Sequence, residues 1–330
     1  MPSIEAIACV LPEKKIKENF LYNNHDKSYV DKSNSLTGVN TRYWANEESS
    51  LSLCIDSAEI LIKDYSFNIN DDDFRSSIDF LVVVTQTPEV LMPAPAYIIH
   101  DALNLNENCG CLSLNAGCTA YVDGISLIYD LIENRGLKNV LFLVGDVLTK
   151  YLDLSDFGTA SVFGDAGSAT LITSRKKNNK YLHNYGIMPK TSETLQLKSI
   201  QGDIKLKMDG FKVFTFAINN VPKIIKKAEK LWELKYGLKP MVGFYALHQA
   251  NNMILDHVRK KLKLNKKVIP SNISKFGNTS GVTIPLLLCS AKVNYESLNS
   301  LLFCGFGVGL SWSVLILESV DLKSNKIVYK

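Results

Sequence analysis

The feature that most constrains the fold of this 330-residue chain is a likeness between its two halves. Four segments of the first half match four of the second in the same order: FLVVVTQTP with FYALHQAN, LNAGCTA with KFGNTSG, VLFLVGDVL with LLFCGFGVG, and SATLITS with SVLILES. Both sets alternate between strands and helices, so residues 1–174 and 175–330 are predicted to be two copies of one α/β unit. Two stacked sheets with helices between them would bury the helices that follow Cys118 and Asn278 and bring their N-termini to one point.

Hydrophobic periodicity predicts the elements of each half. A polar excursion without clear pattern is predicted over residues 13–41, and a polar linker over residues 174–180. Strands are predicted at residues 4–10, 80–85, 112–115, 140–145, 168–173, 243–247, 300–304 and 313–318, and helices at residues 51–61, 96–103, 250–262 and 282–291.

Cys118 follows the small-residue turn Ala116-Gly117 and opens a segment with apolar residues at helical spacing, which Gly136 ends. In the first turn of a helix, unpaired N–H groups and the helix dipole favour a thiolate, so we expect a pKa below that of a free thiol. The same N–H groups would point at an oxyanion on an attached acyl group. The alternative is a small buried core thiol.

Three further polar or glycine-rich features lie in apolar surroundings. His248 follows a buried strand, Asn278 begins a predicted helix, and the glycine loop at residues 305–309 can bring a backbone N–H close to a substrate. A hydrogen-bonded core histidine and an N-capping asparagine are the alternatives for the first two. The loop is not a dinucleotide-binding fingerprint, because no helix-forming segment follows it and its third glycine is missing.

Composition excludes several classes of function. With 46% hydrophobic and 21% charged residues the chain is of ordinary globular type, and it has neither a membrane-spanning apolar run nor a secretory signal. The seven cysteines are scattered without metal-ligand spacing, which predicts a reducing, cytoplasmic location and no metal site. A net charge of +4 is too small to indicate nucleic-acid binding.

Five motifs carry a resemblance to a known family: NAGCTAY (115–121), FGDAGSATL (163–171), HQAN (248–251), GNTSG (277–281) and GFGVGLSW (305–312). Together and in this order they resemble the β-ketoacyl-acyl carrier protein synthase III family of the thiolase superfamily, with likeness along residues 4–317. The resemblance implies an α/β, thiolase-like, duplicated five-layer α-β-α-β-α fold and a homodimer. It implies no cofactor, with acyl-CoA or acyl carrier protein thioesters as substrates. Cys118 matches the nucleophile, and His248 and Asn278 match the pair that binds the extender thioester carbonyl.

The chemistry that the residues can perform agrees with those roles. We expect Cys118 to take an acyl group from a thioester, with the backbone N–H groups of Cys118 and Val308 as oxyanion hole. A malonyl thioester would then lose CO₂, with the ring N–H of His248 and the amide of Asn278 stabilising the enolate. The enolate carbon would attack the acyl group to give a 3-oxoacyl thioester.

Two rival functions remain. One is transfer to an alcohol or amine without decarboxylation, in surface-sugar or secondary metabolism, and the other is a non-catalytic partner subunit, which would normally have lost its nucleophile.

Four residues are predicted to contact substrate: Met92, Phe157, Met253 and Gly307. Phe157 stands where founding family members have an arginine that, with an aromatic residue, sandwiches the adenine of coenzyme A. Met253 replaces a basic residue that contacts the carrier protein. Met92 lies in the loop at 86–93, which matches the segment that closes the partner subunit's acyl pocket; an ordinary surface loop is the alternative.

An acyl carrier protein is the expected partner, because two groups of basic residues could attract its acidic surface. Solvated side chains in a lysine-rich chain are the alternative. The first group lies on one predicted helix and the second follows HQAN: Lys223, Lys226, Lys227 and Lys230, then Arg259, Lys260, Lys261 and Lys263.

Overall fold

A computed structural model describes residues 2–65, 70–174, 180–200 and 202–330 of the chain. Its larger sheet has six strands in the order β14-β1-β7-β6-β4-β5. Among these six strands, β4 and β6 carry near-continuous apolar runs, as expected for a sheet covered on both faces. Their bounds are β1 (Pro2–Leu11), β4 (Phe80–Val84), β5 (Gly110–Leu114), β6 (Asn139–Asp146), β7 (Ala166–Ser174) and β14 (Ser324–Tyr329).

The second sheet has four strands in the order β11-β12-β13-β8. Strands β11 and β12 run parallel, while β13 is antiparallel to both of its neighbours. Two further pairs are small: β2 with β3, and β9 with β10. The bounds are β2 (Lys15–Lys17), β3 (Thr41–Tyr43), β8 (Tyr181–Ile187), β9 (Leu195–Ile200), β10 (Asp203–Met208), β11 (Val242–Leu247), β12 (Ser300–Gly307) and β13 (Ser311–Leu317).

Helices form three layers around these sheets. Helices α5 and α10 share one apolar core with the inner faces of both sheets. Helices α2, α3 and α4 cover the outer face of the six-stranded sheet, and α7 and α8 cover the outer face of the four-stranded sheet. The bounds are α1 (Lys27–Thr37), α2 (Ser50–Tyr65), α3 (Asp71–Ser76), α4 (Pro95–Ala102), α5 (Ala120–Arg135), α6 (Phe157–Ala160), α7 (Gly210–Tyr236), α8 (Asn252–Leu262), α9 (Ile273–Phe276) and α10 (Thr283–Ser290).

The predicted strands and the four predicted helices are confirmed within a few residues at their ends. Gly136 ends α5 in the left-handed conformation, with φ of 68°, as predicted. No helix or strand was predicted in the loosely patterned excursion at residues 13–41. It contains helix α1, which Asp26 caps and Gly38 ends with φ of 76°. Residues 175–179 of the predicted linker lie outside the described residues.

Strand β14 was not predicted, and it crosses between the halves. It follows the second sheet in the chain but pairs in parallel with β1 of the first sheet. The boundary between residues 174 and 175 stays a prediction.

In the described part of the chain, no helix is long and apolar enough to cross a membrane.

Candidate active site

Cys118 lies in the tight turn between β5 and α5, and its side chain is buried. The N–H of Ala120 bonds to the carbonyl of Gly117 at 2.9 Å, and α5 begins only at Ala120. Cys118 therefore lies two residues before α5, and the prediction that it occupies the first helical turn was wrong. Strand β12 packs its backbone against this turn. A Cβ atom added at Gly307 would lie 2.7 Å from the Cys118 sulfur, so the close approach requires glycine.

Burial raises the pKa of the Cys118 thiol to about 11, and the nearby charge of Asp146 acts in the same direction. The neighbouring N–H groups of Val308 and Cys118 and the Ser280 hydroxyl lower the pKa, in the opposite direction. The expectation of a lowered pKa was wrong, because loss of hydration outweighs the donors that the turn supplies. The thiol is thus protonated at neutral pH before substrate binds.

A small apolar cavity of about 30 Å³ opens beside Cys118, which is room for a few water molecules. The hairpin β9–β10 supplies one wall of it and the segment after β6 another. Val308 lines the cavity together with Cys118, so the predicted oxyanion-hole residue and the nucleophile share one space. The lining residues are Gln86, Cys118, Leu148, Phe163, Leu195, Gln196, Leu197, Leu206, Ser280 and Val308.

Asn278 lies in the turn between α9 and α10, and this turn packs against that of Cys118. A Cβ atom added at Gly281 would be 3.4 Å from the carbonyl oxygen of Gly117. Asn278 Oδ1 accepts a hydrogen bond from the N–H of Ser280 at 2.9 Å. This bond fixes the orientation of the side-chain amide and leaves its NH₂ group as a donor for another partner. The N-cap alternative therefore accounts for the Oδ1 atom of Asn278 but not for its NH₂ group.

His248 is fully buried at the end of β11, and burial lowers its pKa to about 3, so the ring is neutral. Its Nδ1 lies 2.7 Å from Thr283 Oγ1, and the Thr283 hydroxyl donates to the Ser280 carbonyl at 3.0 Å. The Thr283 hydroxyl can accept from Nδ1–H or donate to Nδ1. When it donates, the ring carries its proton on Nε2 and can offer it to a substrate, so the donor role of His248 stays a prediction.

Sequence reasoning missed three polar residues of this region: Ser280, Gln86 and Asp146. Ser280 lines the cavity beside Cys118, and its N–H binds Asn278 Oδ1. Gln86 lines the same cavity and is hydrogen-bonded to Asp146. Gln86 and Asp146 follow the buried strand β4 and end the buried strand β6. A polar side chain at the carboxyl end of a buried parallel strand was the signal that could have revealed them.

The other predicted contact residues lie apart from this cavity. Phe157 is buried and packs against the rings of Tyr29 and His25, with centroids 4.9 and 5.1 Å away. Met253 is half-buried in the first turn of α8. Met92 is 87% exposed and does not line the cavity of its own chain. Among residues 2–65, 70–174, 180–200 and 202–330, no group of three or more His, Cys, Asp or Glu side chains is placed to hold a metal ion.

Comparison with known proteins adds the decisive observation. Residues 112–187 match the family model for 3-oxoacyl-[acyl-carrier-protein (ACP)] synthase III, and residues 239–319 match the model for its C-terminal part. The β-ketoacyl-[acyl-carrier-protein] synthase III of Streptococcus agalactiae is 31% identical over 96% of this chain and 98% of its own length. The chain belongs to the 3-oxoacyl-[acyl-carrier-protein] synthase III family.

Solved structures agree with this assignment. The 3-oxoacyl-(acyl-carrier protein) synthase of Burkholderia xenovorans LB400 superposes with a TM-score of 0.91 at 29% identity, and the match covers 100% of this chain and 97% of that one. The thiolase-like fold that the five motifs implied is confirmed, as is membership of a family of acyltransferases. The synthase III family assignment covers both halves of the chain.

Proposed function

We propose that this protein is a 3-oxoacyl-acyl carrier protein synthase III whose Cys118 takes an acyl group from a thioester. The observation that carries the proposal is the position of Cys118, which lines an apolar cavity together with Val308. In the acyl-enzyme, the N–H groups of Val308 and Cys118 bind the thioester oxygen, where negative charge develops during attack. The acyl chain enters the apolar cavity.

The second half of the reaction uses Asn278. A malonyl thioester loses CO₂, and the enolate oxygen accepts a hydrogen bond from the Asn278 NH₂ group, whose orientation the Ser280 N–H fixes. His248 joins as a second donor only in the tautomer with its proton on Nε2, which forms when the Thr283 hydroxyl turns its proton toward Nδ1. The enolate carbon attacks the acyl group, and Cys118 leaves as a thiolate from a 3-oxoacyl thioester.

The experiment that tests this function is intact-mass analysis after incubation with acyl-CoA and acyl-carrier thioesters of increasing chain length. The small cavity predicts that a short acyl group is retained best on Cys118. Addition of malonyl thioester should remove the adduct and release a 3-oxoacyl product. Removal of the adduct by an alcohol or amine, with malonyl thioester inert, would support acyl transfer without decarboxylation instead.

The carrier-bound thioester is proposed as the preferred substrate. The ring cluster of Phe157, Tyr29 and His25 leaves no arginine for charge-assisted contact with coenzyme A, a contact worth about 1.5–3 kcal/mol. Lys260 and Lys261 are exposed in the last turn of α8 and can attract an acidic carrier. Arg259, which was predicted to belong to this group, is instead buried and bound to Asp256.

Reversing the charge of Lys260 and Lys261 together is expected to slow acyl transfer from the carrier by about tenfold and to leave transfer from acyl-CoA unchanged, since steering acts on a charged partner. The measurement is the rate of acyl-enzyme formation from each donor at low and high salt. Reversing exposed Lys63 and Lys138, which lie elsewhere, changes the net charge equally and serves as the control. Equal loss with both donors would contradict carrier docking on this helix.

We propose a homodimer in which the two chains meet along the edge of the six-stranded sheet. Strand β5 is the last in the order, is uncharged and is half-buried along its length, and an edge of this kind accepts a second strand. Met92 and Leu91 are exposed nearby, at 87% and 89%. In the dimer Met92 closes the partner's acyl cavity.

Sedimentation is expected to give the mass of two chains. Met92→Trp is expected to shift the acyl preference toward shorter chains, because a larger rigid side chain would fill the partner's cavity. Leu91→Trp, on the adjacent exposed residue, is the control and should leave the preference unchanged. Identical acyl-chain preferences in the two variants would show that Met92 does not line the partner's acyl cavity.

A further inference from the structure

A chain of polar side chains leads to the Cys118 sulfur from the side of the six-stranded sheet. Asp146 accepts hydrogen bonds from the backbone N–H of Gln86 at 2.8 Å and from its side-chain Nε2 at 3.1 Å. The same Nε2 donates to Ser280 Oγ at 2.8 Å. Asp146 and Ser280 are 2% and 1% exposed, so both ends of this chain of bonds are shielded from solvent, while Gln86 between them is half-buried.

The direction of each bond follows from the donors and acceptors present. A carboxylate only accepts, so Gln86 must turn its NH₂ group toward Asp146, and its second hydrogen then reaches Ser280. Because Ser280 Oγ accepts from Gln86, its own proton is free to donate. Ser280 and Cys118 line the same small cavity, so the hydroxyl can turn this proton toward the sulfur.

The backbone of Ser280 supports this arrangement. Its φ of 52° lies in the left-handed region, which residues with a side chain rarely adopt. Such conformations persist where the surroundings determine them and they cluster at functional sites. The N–H of Ser280 is held by Asn278 Oδ1, and its carbonyl accepts from Thr283. The hydroxyl is therefore fixed from both sides of the residue.

We propose that Ser280 is a further catalytic residue, whose hydroxyl donates a hydrogen bond to the Cys118 sulfur as the thiolate forms. Gln86, held by Asp146, is the positioning residue that sets the direction of this hydroxyl. The inference rests on the proposed role of Cys118 as nucleophile. In acylation the bond from the acyl carbon to Cys118 forms, the bond to the donor's sulfur breaks, and the thiol proton leaves on the departing thiol. Ser280 keeps its own proton throughout.

The test measures how easily Cys118 ionises in the protein without any substrate. The readouts are the ultraviolet absorbance of the thiolate across alkaline pH, taken against Cys118→Ala, and the alkylation rate of the Cys118 peptide by iodoacetamide, followed by mass spectrometry. The titratable groups next to the pair are Asp146 from β6 and His248 from β11, with Cys54 of α2 and Glu89 of the loop after β4 beyond Asp146. None of them is changed in the variants.

Ser280→Gly removes the hydroxyl and accepts the left-handed backbone without strain, so it isolates the hydrogen bond. Gln86→Met removes the amide at similar volume. Both are expected to raise the midpoint of thiolate formation by about one pH unit and to slow alkylation about tenfold at mildly alkaline pH, the usual effect of one lost donor to a charged group. Ser168→Ala removes another buried hydroxyl, which bonds to the carbonyl of Val144, and should change neither readout.

An unchanged midpoint in Ser280→Gly would overturn the catalytic role of Ser280, and an unchanged midpoint in Gln86→Met alone would overturn the positioning role of Gln86. Slower alkylation with unchanged thiolate absorbance would show altered access and would also contradict the proposal. If the shifts appear but no thioester acylates Cys118, the proposed function fails while the hydrogen-bonded chain stands. Thermal melting of each variant identifies any that does not fold.

Discussion

Cys118→Ala is expected to abolish the acyl-enzyme, whereas Asn278→Ala should still acylate at close to the wild-type rate and lose decarboxylation of malonyl thioester by about 10²–10³-fold. The physical reason is a separation of donors. Cys118 lies beside Val308 in the cavity, where the two N–H groups serve the acyl oxygen, while the Asn278 amide, fixed by Ser280, offers its hydrogens to the second substrate. Intact-mass analysis measures the first step, and CO₂ release measures the second.

Asn272→Ala is the matched control for this prediction. Asn272 is as buried as Asn278, lies in the same segment and binds Ser290 rather than Ser280. It should leave both steps intact. If Asn278→Ala blocked acylation as completely as Cys118→Ala does, the assignment of Asn278 to the second step would be wrong.

Gly305→Ala is expected to slow acylation by about 10²-fold or more and to lower the free energy of unfolding by about 1–3 kcal/mol. A Cβ atom at residue 305 would lie 2.7 Å from both the carbonyl oxygen of Cys118 and the Cα of Thr119. These are backbone atoms, so the clash cannot be relieved by rotating a side chain. The turn that carries the nucleophile must move instead, and reaction geometry tolerates little displacement.

The measurements are the rate of acyl-enzyme formation and the thermal unfolding midpoint. Gly158→Ala is the control, because its added Cβ meets no atom closer than 3.6 Å and it lies in the short helix α6. Wild-type acylation in Gly305→Ala would mean that β12 does not set the position of Cys118.

Local patterns predicted most of the fold, because its strands are buried on both faces and its helices carry one apolar stripe. Helix α1 escaped prediction because its sequence, KSYVDKSNSLT, is polar and buries only Val30 and Asn34. Strand β14 was not predicted because it is completed by pairing with β1 at the edge of the other sheet, and local sequence pattern does not reveal such pairing.

For the site, family resemblance and residue chemistry named Cys118, His248, Asn278 and Val308, and the structure groups these four around Ser280. The state of each side chain could not be predicted in the same way. The thiol pKa depends on how completely β12 and the turn after Asn278 exclude water, and the His248 tautomer depends on the hydroxyl of Thr283. Both are set by residues far away in sequence.

The pairing of β14 with β1 has a consequence for how the chain is made. Strand β1 leaves the ribosome more than 300 residues before β14, so this edge of β1 stays open until residues 324–329 have emerged. Gly307, Val308 and Ser280, which surround the Cys118 sulfur, also arrive late. A nascent chain therefore carries an open sheet edge and an uncovered thiol until its C-terminal half has been made: residues 280–308 cover the thiol first, and β14 then closes the edge.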